Sequence, residues 1–127
     1  MPATQSKYRG TTAYQLVHAE LITAARYRGV TTYRAVGQLL GIWRPGNHLS
    51  RETADVVGAI SADEVAQGRP MLSAVVVHSD DHLPGTGFFT CARDLGRLHS
   101  DQPADRQRFW EEEREAVYET WKRVFKV

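Results

Sequence analysis

Apolar residues recur along most of this chain at helical spacing. Tyr14, Val17, Leu21 and Ala25 stand three, four and four apart, which predicts a helix over residues 11–28 with one apolar face. Thr11 or Thr12 can cap its start. His18 lies beside that face, where a lone histidine is expected to be structural. Gly29 ends the helix, and Thr31 or Thr32 caps the next one. There Tyr33, Val36, Leu39 and Leu40 repeat the spacing, and Gly41 supplies the left-handed residue that closes it. This second helix is too short to stand alone and must pack against its neighbours.

The Pro45-Gly46 pair in residues 42–48 forbids a continuous helix, and Trp43 reads there as a packing anchor. Ser50 is a good N-cap for a third helix, with Val56, Val57, Ile60 and Val65 as its buried stripe. A second capping box, Ser61 to Glu64, sits inside the segment, but with no Gly or Pro between Ile60 and Gln67 one helix is expected. Residues 71–77, MLSAVVV, form an apolar β-branched run between turn residues and read as a buried strand. Its partner strand is not evident from the sequence. Residues 78–87 read as a polar loop, and Phe88, Phe89, Ala92 and Leu95 predict a short helix over 86–95.

The last helix has the strongest pattern. Ser100 or Asp101 caps it, Pro103 suits its first turn, and Trp110, Val117, Tyr118, Trp121, Val124 and Phe125 form one stripe. Acids lead it and bases trail it, in the sense that complements a helix dipole. The Trp-rich stripe seals a core or forms a partner surface. The expected fold is therefore mainly α with a small β element, α+β in class. It is a single domain with a helix-turn-helix or winged-helix-like core at 31–77. Residues 1–10 are expected to be a flexible N-terminus, residues 11–127 the helical domain, and 101–125 its C-terminal amphipathic helix.

Composition adds bounds. The chain has 127 residues, 42% hydrophobic and 24% charged, which is ordinary for one globular domain. No apolar run approaches the ~20 residues of a membrane span. The start lacks an apolar signal core, so a cytoplasmic protein without a membrane partner is expected. The single Cys91 excludes an internal disulfide and a multi-cysteine metal site. Its neighbours supply no base or oxyanion site, so a small buried residue is expected there.

Net charge is only +1, but its distribution is uneven. Residues 1–51 carry seven bases and one acid, and the remainder nine bases and fourteen acids. A cationic half points to a polyanionic partner, or to docking against the acidic half. In a helix-turn-helix the second helix offers its N-terminal residues to the major groove. Asn47, His48 and Arg51 occupy that place, with Arg44 in the turn, and Arg and Asn can each read base edges bidentately. Lys7, Arg9, Arg26, Arg28 and Arg34 are candidates for phosphate contacts. The sequence pI of about 8.0 is below the range typical of strongly basic nucleic-acid binders.

His78, Asp80, Asp81 and His82 put two imidazoles and two carboxylates in five residues, but without the spacing of a known metal motif, so an ordinary loop is expected. Glu111 to Glu115 read as a solvated helical face. Residues 84–87, PGTG, are too short for a phosphate-cradling loop. No catalytic residue, cofactor or metal is assigned.

Thr32-Tyr33, Val36 and Gly41, then a turn, a helix and the segment Val75-Val76-Val77, carry a partial resemblance. Over about a third of the chain this pattern resembles the winged-helix DNA-binding half of alkylguanine-alkyltransferase-like proteins. The family's Pro-Cys-His-Arg signature is missing, since the strand here reads Ala74-Val75-Val76-Val77-His78. The resemblance implies DNA binding and does not imply alkyl transfer. MLSAVVV, GTGFF and FWEEEREAVYETW also resemble segments of a bacterial family, which implies no function. The expected function is non-enzymatic DNA binding, as a small regulator or accessory protein of phage, mobile-element or defence type. The alternative is a protein-interaction module (an immunity, antitoxin or adaptor protein, or a homodimer) working through the C-terminal helix.

Overall fold

The computed structural model describes residues 5–123. Among these residues, five α-helices and one short strand pair fold around an apolar core. Helix α1, Thr12–Arg26, starts at Thr11, whose hydroxyl accepts the N–H of Tyr14. Strand β1 is only Thr31–Thr32 and runs straight into α2, Tyr33–Leu39. Thr32 serves both elements, because its hydroxyl also caps α2 by accepting the N–H of Ala35 at 3.0 Å. Gly41, at φ +81°, reverses the chain after α2.

Helix α3, Asn47–Ala66, passes through the middle of the molecule. Val56, Ile60 and Ser61 are fully buried on it, and it packs against α1, α2, α4 and the segment after it. The expectation of one uninterrupted helix through Ser61–Glu64 agrees with this. Its start does not lie at Ser50: the N-cap is Gly46, with no side-chain hydrogen bond. Between α2 and α3 the connection is longer than the 3–4 residues of a helix-turn-helix turn. Contact there is close, since a Cβ on Gly37 would fall 2.1 Å from Leu49 Cδ1.

The apolar run 71–77 is not one strand. Leu72–Val75 form a 3-10 turn, and only Val76–Val77 form strand β2. A fully buried run has no polar face, so its sequence carries no period that separates strand from turn. The partner of β2 is β1, in parallel register with Thr31 opposite Val76 and Thr32 opposite Val77. The described residues therefore hold a parallel pair and no antiparallel hairpin of the kind that makes a wing. Ser61 fastens the 3-10 turn to α3: its hydroxyl donates to Ser73 Oγ at 2.6 Å and accepts the Ser73 N–H at 3.0 Å.

Helix α4, Thr86–Asp94, buries Phe88, Cys91 and Ala92. Helix α5, Pro103–Trp121, then crosses α1 and the 3-10 turn. Its apolar face is covered by its own chain: Trp110, Val117 and Tyr118 are buried, and Trp110 Nε1 donates to the Ala74 carbonyl at 2.9 Å. Trp121 is only half-buried, with the Arg69 guanidinium over its ring. Val124 and Phe125, the expected end of the stripe, lie outside the described residues.

Two buried carboxylates tie distant segments together. Glu113 on α5 accepts from Nε and Nη2 of Arg97, at 2.8 and 2.6 Å, and from the N–H of Met71 at 2.9 Å. Glu64 on α3 meets His18 Nε2 at 3.1 Å and Arg69 Nε. Both are buried carboxyls with several partners, so removing one partner would leave a buried polar group unmatched. Of residues 1–10, expected to be flexible, 1–4 lie outside the described part, and the rest is tied to α3. Tyr8 donates to Glu52 at 2.5 Å, and Arg9 grips Asp63. No described helix is long and apolar enough to cross a membrane.

Candidate nucleic-acid interface

Helices α2, α3 and α4, with the linker 40–46 and the loop after β2, enclose a cleft of about 680 Å3. Its floor is apolar and comes from Val57, Gly58, Phe88 and Cys91. Arg34 from α2 and Arg51 from the first turns of α3 line it, and Trp43 stands at its mouth. No aspartate or glutamate is among its lining residues. Volume and lining match those of a site for a small organic group.

Local chemistry explains why the wall looks this way. Arg34 lies two residues before the buried Val36 and so points away from the core. Arg51 precedes the buried positions Thr53 and Val56 on α3 and is likewise exposed. Among the described residues neither arginine, nor Arg44, forms an ion pair or side-chain hydrogen bond with the chain. Both α3 and α4 begin near the cleft without a side-chain cap.

Opposite, the loop is braced. Tyr33 Oη accepts the Gly85 N–H at 2.9 Å, and the His78 ring packs on the Tyr33 ring, centroids 4.8 Å apart. A Cβ on Gly85 would come within 3.2 Å of His78 Nε2 and 3.3 Å of Tyr33 Oη, so glycine lets the loop approach this closely. The His78–His82 cluster is used for turning the chain. Asp80 accepts the Asp81 N–H, Asp81 accepts the Leu83 N–H, and His82 adopts φ +58°. Among the described residues no three His, Cys, Asp or Glu side chains come together as a metal site.

The structure divides the cations that the sequence singles out. Arg34 and Arg51 share the cleft, while Arg44, Asn47 and His48 are exposed in the linker and at the start of α3. Arg26 and Arg28 lie at the far end of α1 and do not line the cleft. Arg28 pairs with Glu115 at 2.6 Å and covers the Tyr118 ring. Lys7 and Arg9, named for phosphate contacts, hold Glu52 and Asp63 instead. Trp43 is not a packing anchor, for it is 69% exposed.

Three features were not visible as parts of a site. Phe88 and Cys91 line the floor although they lie far along the chain from Arg34. Burial, and then the charge of Asp94, push the Cys91 thiol up to about 11, so it is a neutral wall group and not a thiolate nucleophile. Glu64, which reads in sequence as part of a capping box, is the buried centre of the His18–Arg69 cluster. A second, smaller hollow of about 310 Å3 opens there, lined by Tyr14, His18, Asp63, Glu64 and Arg69. Its carboxyls are already partnered, Asp63 by Arg9 and the Tyr14 hydroxyl, and Glu64 by Arg69 and the His18 ring.

Comparison with protein-family models, with curated proteins and with solved structures finds no match to this chain.

Proposed function

We propose that the chain is a non-enzymatic DNA-binding protein whose contact surface is the mouth of this cleft. The observation that carries the reading is the pair Arg34 and Arg51, on two different helices, facing one opening that no carboxylate lines. With Arg44, Asn47 and His48 beside it, the patch concentrates positive charge and base-reading groups on one side. In this reading α2, the linker and α3 act as a helix-turn-helix-like unit, and the exposed first turns of α3 approach the nucleic acid. A small regulator or accessory role fits a binding domain of this size.

The alternative, a protein-interaction module built on the Trp-rich helix, gains less support. Trp110, Val117 and Tyr118 are covered by α1 and the 3-10 turn. A partner would have to use a different face.

Retardation of DNA across a salt series tests the proposal. Affinity should fall steeply as salt rises, because each neutralised phosphate releases close to one counterion. Arg34→Ala with Arg51→Ala should flatten that slope by roughly two without changing the melting temperature, given about one unit per lost phosphate contact. Arg108→Ala, whose guanidinium is paired with Asp105 at 2.5 Å, serves as control and should leave the slope unchanged. Micromolar wild-type protein that retards no DNA at low salt removes the reading.

A further inference from the structure

A surface that only follows closed duplex has no use for a deep hollow between its cations. Duplex phosphates lie on a convex cylinder, and each base is covered above and below by its neighbours. The cleft, by contrast, recedes below Arg34 and Arg51 to the apolar floor at Val57 and Phe88. An aromatic side chain, Trp43, stands 69% exposed at its edge, where burial gives it no stabilising role. Apolar depth, an exposed indole and unpaired guanidinium groups at one opening match a ligand with a flat apolar body and an anionic end.

We propose that the cleft receives one unstacked nucleotide, its base against Trp43 and the apolar floor and its phosphate at Arg34 and Arg51. This deepens the DNA-binding reading and rests on it for the polymer, although a free mononucleotide carries the same chemistry. The substrate class is then single-stranded DNA, or duplex with a base out of the stack. Bases stacked on aromatic side chains contribute without regard to sequence, and truncating such a platform costs roughly 5- to 150-fold in affinity per base. An unpaired base reaches a recessed pocket without disrupting a helix, whereas a paired one must first be extruded. The side chains at the opening, Ser50, Thr86 and Arg51, are hydroxyl or cationic groups suited to a phosphate.

The test uses the whole chain, a single-stranded oligonucleotide, the same sequence as closed duplex, and deoxyadenosine 5′-monophosphate, titrated by fluorescence anisotropy or calorimetry. Two variants probe the cleft without touching its charges. Trp43→Ala removes the exposed indole. Ala54→Phe fills the opening from an exposed position on α3. Wild-type protein should bind the single strand at least tenfold more tightly than duplex, and the mononucleotide should compete. Both variants should lose that preference and melt like wild type. Arg34→Ala with Arg51→Ala should weaken both modes. Equal or tighter binding of closed duplex by wild type, or folded Trp43→Ala and Ala54→Phe proteins with unchanged single-strand affinity, overturns the proposal and leaves the DNA reading intact. Mononucleotide binding that Ala54→Phe abolishes, in a protein that binds no DNA polymer, would instead keep the cleft assignment and remove the DNA reading.

Discussion

Tyr33 on α2 accepts the backbone N–H of Gly85 through its hydroxyl, at 2.9 Å, and so pins the loop after β2 to the helix that carries Arg34. That hydrogen bond, with the packing of His78 on the same ring, holds one wall of the cleft in place. Tyr33→Phe should destabilise the fold by about 0.5–1.5 kcal/mol. It should also raise hydrogen exchange at Gly85 while the amides of α5 keep theirs. Equal exchange at Gly85 in both proteins would show that the loop is held by other contacts.

Trp110 is the largest buried anchor of α5, at 4% exposure, and its indole N–H reaches the Ala74 carbonyl. Trp110→Ala should cost about 3–5 kcal/mol through the cavity it leaves and the unpaired carbonyl. Trp121→Ala, at a half-buried position, should cost clearly less. Urea unfolding of the two variants side by side checks the order, and a reversed order would mean that residue 121 supports the fold more than its burial suggests.

The N-terminal turn should be the acid-sensitive part of the fold. Hydrogen bonds from Lys7 and Tyr8 hold the Glu52 carboxyl below its usual range. Burial raises that of Asp63, but Arg9 and Tyr14 bring it below the usual range overall. Both folded values are depressed, so each contributes stability at neutral pH, above the unfolded carboxylate value of about 4. That contribution is lost as pH falls through the lower folded values. Melting temperature should therefore drop below about pH 4, and Arg9→Ala should be less acid-sensitive than wild type while starting from a lower plateau. Parallel melting curves for both proteins from pH 7 to pH 3 would contradict this.

Cys91 should resist alkylation. Its thiol is raised to about 11 and buried in the cleft floor, so little thiolate exists at pH 8. Iodoacetamide should modify the native protein far more slowly than the urea-unfolded one. A native rate equal to the unfolded rate would show that the floor opens readily.

Helices announced themselves wherever an apolar face met solvent on its other side. Val17, Leu21 and Ala25 on α1, and Trp110, Val117 and Tyr118 on α5, are buried as their spacing predicts. The start of α3 differs from the sequence pattern because Ser50 is the better cap chemically, yet the helix begins from Gly46 with no side-chain cap. Segment 71–77 hid its 3-10 turn because every residue in it is buried. Of the candidate site, the charge of Arg34 and Arg51 was legible, and so was their place in the helix pair. The hollow between them was not, since Tyr33, Trp43, Val57, His78 and Phe88 meet only through tertiary packing. Trp43 differs from its expected packing role for a related reason: size alone favours burial, and only the fold shows that its linker runs along an opening.

Helix α3 is a shared wall. Val56 and Ile60 face the core, while Ser50, Arg51 and Ala54 on the same helix border the cleft. Losing α3 means losing the core, so an occupant that grips this wall is coupled to the folding of the whole core. Any ligand of the cleft should then raise the temperature of the whole cooperative transition, by roughly 2.7 kcal/mol of added stability at a hundredfold excess over its Kd. A plate of nucleotides, carboxylates and oligonucleotides, scanned by thermal shift on the unlabelled chain, would register its own ligand as a displaced melting curve.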